Sequence, residues 1–234
     1  MALSAQTILE RTRLFRGLPA ATLQRVAALA ARRKYEIGGV VFSQGDPGNA
    51  LYGVITGRIR ISASARDGKE IFLNLMEPGD CFGEIALLDG SERTATAMAT
   101  APTELTVIGR EHFLSLVQRE PVLTNHLLQL LCSRIRWTSK WSEDSALLPV
   151  PARLGRRLLS LAKQHGQPTD LGLRLVISQE ELARFLGLSR QVVNQYLQEW
   201  KARKWVELGR GKLTLLNEAA IRGIADDDSA NLAK

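Results

Sequence analysis

The sequence predicts an α+β fold in two domains joined by a long helix, and three features carry that prediction. Short apolar runs broken by turn residues fill the chain to about Ile108, a helical seam follows Pro121, and closely spaced helices ending in a small hairpin lie beyond Pro149 and Pro151. With 234 residues the chain is long enough to bury two cores. The expected division is a β-rich domain over 1–120, a helix and hinge over 121–148, and a winged helix-turn-helix over 149–234.

The first domain is punctuated by Val40-Val41-Phe42, Gln44-Gly45-Asp46-Pro47-Gly48, Leu51-Tyr52-Gly53-Val54-Ile55, Ile59, Ile61 and Pro78-Gly79-Asp80. Apolar and polar residues alternate in Arg58-Ile59-Arg60-Ile61-Ser62, and Asp67-Gly68 has the composition of a hairpin turn that needs positive φ. The pattern reads as a β-meander, and closing it into a roll or barrel would remove exposed edges.

From about Val122 to Ser145, the residues Thr124, Leu128, Leu131, Ile135, Thr138, Ser142 and Ser145 recur at steps of four and three. That spacing is a heptad seam. It turns polar toward its C-terminal half, so a core-packing helix competes with a parallel dimer helix, and the dimer helix is preferred. Pro149 and Pro151 then mark a hinge.

Beyond the hinge one helix is expected over Arg153–Lys163, and two more across Ser178–Lys204 with a joint at Gly187-Leu188-Ser189. Ser178 and Glu181 have capping-box spacing, small Ala183 allows close helix approach, Gly187 supplies the turn and Ser189 caps the second helix. Leu182, Leu186, Leu188 and Val193 then face a shared core. Arg190, Gln191, Asn194, Gln195 and Gln198 are left on one outward face, the residue types that pair with base edges in a major groove. Val206-Glu207-Leu208 and Leu213-Thr214-Leu215 flank Gly209-Arg210-Gly211 as a two-stranded wing, and Asp226–Asp228 falls in a solvated tail.

Charge agrees with a nucleic-acid partner. Residues 151–217 hold 12 Lys and Arg against 5 Asp and Glu, whereas residues 1–150 hold 17 against 15. A basic block of this kind neutralises phosphates, although a merely solvated surface has the same composition. Cys81 and Cys132 have no metal-ligand spacing and read as ordinary buried thiols, and His112, His126 and His165 are scattered. No stretch has the length and apolarity of a membrane span and Met1–Glu10 lacks a leader pattern, so a cytoplasmic protein without membrane or metal partners is expected. No nucleophile–base pair, paired carboxylates or metal cluster suggests an enzyme.

The most specific stretch is Cys81-Phe82-Gly83-Glu84-Ile85-Ala86-Leu87-Leu88-Asp89-Gly90-Ser91-Glu92-Arg93-Thr94-Ala95-Thr96. It resembles the phosphate-binding cassette of cyclic-nucleotide-binding domains, and with the helix-turn-helix the chain to about Asn217 resembles the Crp/Fnr family of transcription regulators. The resemblance implies a β-roll that takes a cyclic nucleotide as effector. Arg93 and the backbone of Gly83, Glu84, Ile85 and Ala86 would hold the phosphate, Glu84 the ribose hydroxyl, and Thr94 the phosphate or base, with Ile71 and Leu73 as an apolar wall. Trp137-Thr138-Ser139 falls where cyclic-AMP-binding members carry a Thr-Ser pair on adenine, which implies base contacts from Thr138 and Ser139.

Cyclic AMP is favoured, with cyclic GMP the rival because Arg93-Thr94-Ala95 also resembles cyclic-GMP-selective cassettes. A ligand-independent DNA-binding regulator with a vestigial roll is the alternative. The family reading also implies a homodimer on palindromic double-stranded DNA and allows RNA polymerase as a partner. Its DNA contacts would come from Ser178, Gln179, Ser189, Arg190, Gln191, Asn194, Gln195, Lys201, Arg210 and Lys212. Two positions depart from the cyclic-AMP-responsive members: Gln191 stands in place of Glu and Gln195 in place of Arg, so their half-site preference does not carry over. The N-terminal cysteine cluster of the family's iron–sulfur branch is absent.

Overall fold

The computed structural model describes residues 9, 10, 12, 14–64 and 70–226. Asp67-Gly68 and all of the acidic tail except Asp226 lie outside the described residues. The chain divides into two compact units, Met1–Ile135 and Arg136–Lys234. The helix expected to stand as a segment of its own over 121–148 is therefore shared between them.

The N-terminal unit holds α1 (Ala20–Leu29), β1 (Ala30–Tyr35), β2 (Val40–Phe42), β3 (Ala50–Thr56), β4 (Ile59–Ser64), β5 (Glu70–Met76), β6 (Cys81–Phe82), α2 (Glu84–Asp89), β7 (Thr96–Ala99), β8 (Thr103–Gly109) and α3 (Arg110–Arg119). Two antiparallel four-stranded sheets run β1-β8-β3-β6 and β2-β7-β4-β5. This corrects the meander, because among the described residues of this unit only β4 and β5 pair as sequence neighbours. β1 runs the length of β8, with Ala30 opposite Ile108 and Tyr35 opposite Thr103. Such a pairing brings together strands some seventy residues apart, and turn composition reports only on adjacent strands.

β3 is buried along Ala50–Val54 because both of its faces are covered. Tyr52 and Val54 join Ile59, Phe82, Leu105 and Val107 between the sheets. Leu51 points the other way and meets Phe15, Leu87, Ile108, Phe113 and Leu123 in a core roofed by helices. Alternation along a strand is what lets one segment serve two cores.

The long helix α4 (Pro121–Leu147) starts in this unit, with Leu123 and Leu127 buried in the helical core. Its seam faces elsewhere: Leu128 is 54% and Ile135 65% exposed, and Thr138, Ser142 and Ser145 are exposed. Thr124 leaves the seam, since its hydroxyl donates to the Val117 carbonyl at 2.6 Å. Leu131 packs in part against the helical core.

The C-terminal unit contains the rest of α4, α5 (Val150–His165), β9 (Gln167–Thr169), β10 (Gly172–Leu175), α6 (Gln179–Leu186), α7 (Arg190–Ala202), β11 (Val206–Gly209), β12 (Lys212–Leu215) and α8 (Glu218–Ala225). Pro149 caps α5 and Pro151 sits in its first turn, where a missing N–H costs nothing, so the two prolines separate α4 from α5. The wing is part of a four-stranded sheet, β11-β12-β10-β9. Its outer pair was not legible, because β9 is three residues long and contains Pro168.

Phe113 is fully buried where α3 meets the helical core. Phe113→Ala should cost about 3–5 kcal/mol, on the order of 10 °C in the melting of the unit that contains it. A calorimetric transition unmoved by this change would show that the helices do not close that core.

Candidate functional site

Arg93 lies in the loop between α2 and β7, and the loop before β3 grips its backbone. Its N–H donates to the Asp46 carbonyl at 2.8 Å, and its carbonyl accepts from the Gly45 N–H at 2.9 Å. The side chain therefore turns inward and is 3% exposed. Nη1 donates to the Gly83 carbonyl at 2.7 Å and Nη2 to the Ala50 carbonyl at 2.8 Å. The guanidinium lies 4.2 Å from the Phe42 ring centroid and 5.6 Å from that of Tyr52. Nε is buried without a hydrogen-bond partner. Burial lowers the pKa of Arg93, opposed by Tyr52, Asp46 and Glu84. Burial also raises the Tyr52 phenol against the pull of the guanidinium.

Gly83 caps α2 with φ of 84°, and a Cβ there would stand 2.8 Å from Arg93 Nη1. Only glycine combines that left-handed backbone with so close an approach. Glu84 follows, 3% exposed, its Oε1 3.3 Å from Arg134 Nε on α4. Arg134 also donates through Nη2 to the Cys81 carbonyl at 3.0 Å. Ala86 is buried, Ile85 is 43% exposed and Thr94 is exposed. Ile71 and Leu73 are half-buried on β5. Gly83, Glu84 and Arg93 thus gather around one buried cation and one buried carboxylate. Thr138 and Ser139 are exposed on α4 and belong to the C-terminal unit.

The sequence reading missed Arg134, Phe42 and Tyr52. Arg134 stands one helical turn before Thr138, a spacing that could have flagged it; the two aromatics are brought to Arg93 by sheet pairing and carry no local signal. Both cysteines were expected to be buried, but only Cys81 is. Burial pushes its thiol well above the ordinary range, which leaves it inert, whereas Cys132 is exposed on α4. Among the described residues no three His, Cys, Asp or Glu side chains group as metal ligands, and no described helix is long and apolar enough to cross a membrane.

In the C-terminal unit the capping box is formed: Ser178 Oγ accepts from the Glu181 N–H at 3.1 Å, and Glu181 Oε2 accepts from the Ser178 N–H at 2.8 Å. Gly187 ends α6 at φ of 64°, and Ser189 caps α7 by accepting from the Val192 N–H at 3.3 Å. Leu182, Leu186 and Val193 are buried as expected, and Leu188 half-buried; Phe185, Leu197 and Trp200 complete this core. Arg190, Gln191, Gln195 and Gln198 are exposed along α7. Asn194 is half-buried and its Oδ1 accepts from Gln198 Nε2 at 3.3 Å. Lys201, Arg210 and Lys212 are exposed at the helix end and wing, and Gln179 is half-buried at the start of α6.

Comparison with known proteins agrees with both halves. Residues 32–120 match the cyclic nucleotide-binding domain family and residues 152–224 the Crp-like helix-turn-helix domain family. The chain is 31% identical over 214 residues to a CRP-like cAMP-activated global transcriptional regulator of Mycobacterium tuberculosis, covering 91% of this chain and 95% of that one. It is 34% identical over 212 residues to the cyclic AMP receptor protein of Thermus thermophilus, covering 91% and 96%. Among solved structures it resembles the c-di-GMP responsive global regulator CLP of Xanthomonas campestris, with a TM-score of 0.75 and 28% identity over 84% of this chain and 99% of that one. The Thermus thermophilus catabolite activator protein matches with a TM-score of 0.54 and 34% identity, covering 92% and 98%. A roll that buries an arginine behind a glycine-led cassette, a polar helix-turn-helix and relatives matched nearly end to end leave one conclusion: the chain belongs to the Crp/Fnr family of DNA-binding transcription regulators, which are not enzymes.

Proposed function

We propose that this regulator is gated by a cyclic nucleotide, cyclic AMP ahead of cyclic GMP, and acts in the cytoplasm as a homodimer on palindromic DNA. The observation that carries the ligand reading is the buried Arg93 guanidinium, whose Nε lacks an acceptor beside the buried carboxylate of Glu84. A cyclic phosphate supplies a negative acceptor and a ribose supplies a hydroxyl, so the two groups fit one ligand. Thr138 and Ser139 favour adenine, as do the two relatives named for cyclic AMP, while the exposed hydroxyl of Thr94 keeps guanine as the rival. Calorimetry with cyclic AMP, cyclic GMP and cyclic di-GMP decides among them, and silence from all three would favour the ligand-independent reading. Arg93→Ala should lose on the order of 2–5 kcal/mol of nucleotide affinity. Unaltered binding by that variant would reject the pocket.

The dimer reading is supported by Leu128 and Ile135, large apolar side chains 54% and 65% exposed along the seam of α4. Two such stripes cover each other in a parallel pair, and paired recognition helices match a palindrome. Replacing Leu128 and Ile135 together by Asp should convert the protein to monomers in sedimentation velocity, without loss of its helical circular dichroism. A dimer that survives both changes would put the interface elsewhere.

On DNA, Arg190 is suited to a bidentate pair with guanine, and Gln191 and Gln195 to adenine beside it. Ser178, Gln179, Ser189 and Asn194 frame this face, while Lys201, Arg210 and Lys212 are suited to phosphates; RNA polymerase is a further partner consistent with this reading. Arg190→Ala should cost roughly 1–3 kcal/mol on the cognate site and relax preference at one base pair. Lys212→Ala should weaken all sequences alike and lower the salt dependence by about one unit. Identical salt slopes and identical base preferences in the two variants would refute this division of labour.

A further inference from the structure

Arg157, on α5 of the C-terminal unit, is 8% exposed, unusual for an arginine. Its guanidinium lies 5.4 Å from the ring centroid of Trp137, 5.9 Å from that of Trp141 and 5.4 Å from that of Phe185. Trp137 and Trp141 stand one turn apart on α4, and Phe185 lies on α6, the first helix of the helix-turn-helix. One cation therefore joins three helices through aromatic faces.

Its neighbour ties α5 to α4 by different chemistry. Arg156 Nη1 meets Asp144 Oδ1 at 2.8 Å, and its Nε donates to the Ala225 carbonyl at 2.8 Å. Asp144, 5% exposed, also meets Lys140 Nζ at 3.4 Å. Burial pushes the pKa of Arg157 down to about 10 while Asp144 opposes the shift, so Arg157 keeps its charge near neutrality. An aliphatic side chain would fill the same space without desolvating a charge. What the guanidinium adds is direction: a flat cation is attracted to ring faces rather than ring edges, which favours a narrow set of angles between the helices that bear the rings.

We propose that Arg157 is a positioning residue for DNA recognition, its aromatic cage fixing the angle at which the helix-turn-helix is held on α4 and hence the spacing of two recognition helices in a dimer. This rests on the dimer reading above. The cage also borders the residues proposed to contact the base, because Trp137 immediately precedes Thr138 and Ser139 in the sequence. A nucleotide that moved this pair would act on the cage directly.

The test uses the full chain, a palindrome selected in vitro with the wild-type protein, the same palindrome with its half-sites moved apart or together, and a single half-site duplex. Arg157→Met should bind the single half-site as wild type does, lose about ten-fold or more on the selected palindrome, and discriminate less among spacings. Arg157→Lys, which keeps the charge and loses the flat face, should fall between the two. Trp137→Leu should repeat the Arg157→Met pattern while leaving the arginine in place, and serves as the test if Arg157→Met does not fold. Unchanged or raised palindrome affinity with wild-type spacing dependence overturns the proposal. So does an equal loss on half-site and palindrome, which would mark a damaged DNA-binding unit rather than a misdirected one. A wild-type protein without any spacing preference overturns the dimer reading and this proposal together, whereas a preference retained by the variants overturns the proposal alone.

Discussion

The Arg93 guanidinium is buried against two backbone carbonyls and two aromatic rings, and the ligand-binding half of the structure is organised around it. The Gly83 carbonyl belongs to the turn that opens the cassette, the Ala50 carbonyl to β3, and the Phe42 ring to β2 in the other sheet. One side chain therefore links both sheets to the cassette. Its charge is balanced by no carboxylate at hydrogen-bond distance among those contacts. Carbonyl dipoles and ring faces make up part of the lost hydration, and an anion would make up more.

Glu84 gives that arrangement a second anchor of opposite sign. Its carboxylate is met by Arg134, which reaches from α4 and also holds the Cys81 carbonyl just before the cassette. Under the proposed function a ribose hydroxyl competes for the same carboxylate, and the competition is between a charged donor on α4 and a neutral donor on the ligand. Arg134 shares its helix with the exposed Leu128 and Ile135, so under the same proposal a change in the Glu84–Arg134 pair would be a physical route from ligand to dimer seam.

Legibility differed between the two units for a physical reason. The helix-turn-helix is built from local rules, and Ser178, Glu181, Gly187 and Ser189 each act on backbone groups within a few residues. Its caps, turn and outward face could therefore be written down from the sequence. The roll is built from long-range pairings such as β1 with β8, so its strands were legible but their order was not. In the candidate ligand site, Gly83, Glu84 and Arg93 could be named from the sequence because they fall in one short motif. Phe42, Tyr52 and Arg134 were not, since each arrives from a different part of the chain. Arg157 was hidden for the same reason: nothing in Arg156-Arg157 tells which arginine is ion-paired and which is caged.

Both units thus place a buried arginine among aromatic rings, yet the two sites differ in what else the cation touches. Arg93 has backbone acceptors on its terminal nitrogens and an unpartnered Nε, so its surroundings are polar on one side and incomplete. Arg157 is bordered by three rings from two other helices, with Asp144 nearby but bonded to Arg156. An incomplete polar shell gains free energy from an anionic ligand. A shell of ring faces, with the nearby Asp144 carboxylate already bonded to Arg156, instead penalises rotation of the helices that carry the rings. The same residue type in two shells therefore suits two tasks, recognition in the roll and alignment in the DNA-binding unit, and the shell rather than the charge decides which.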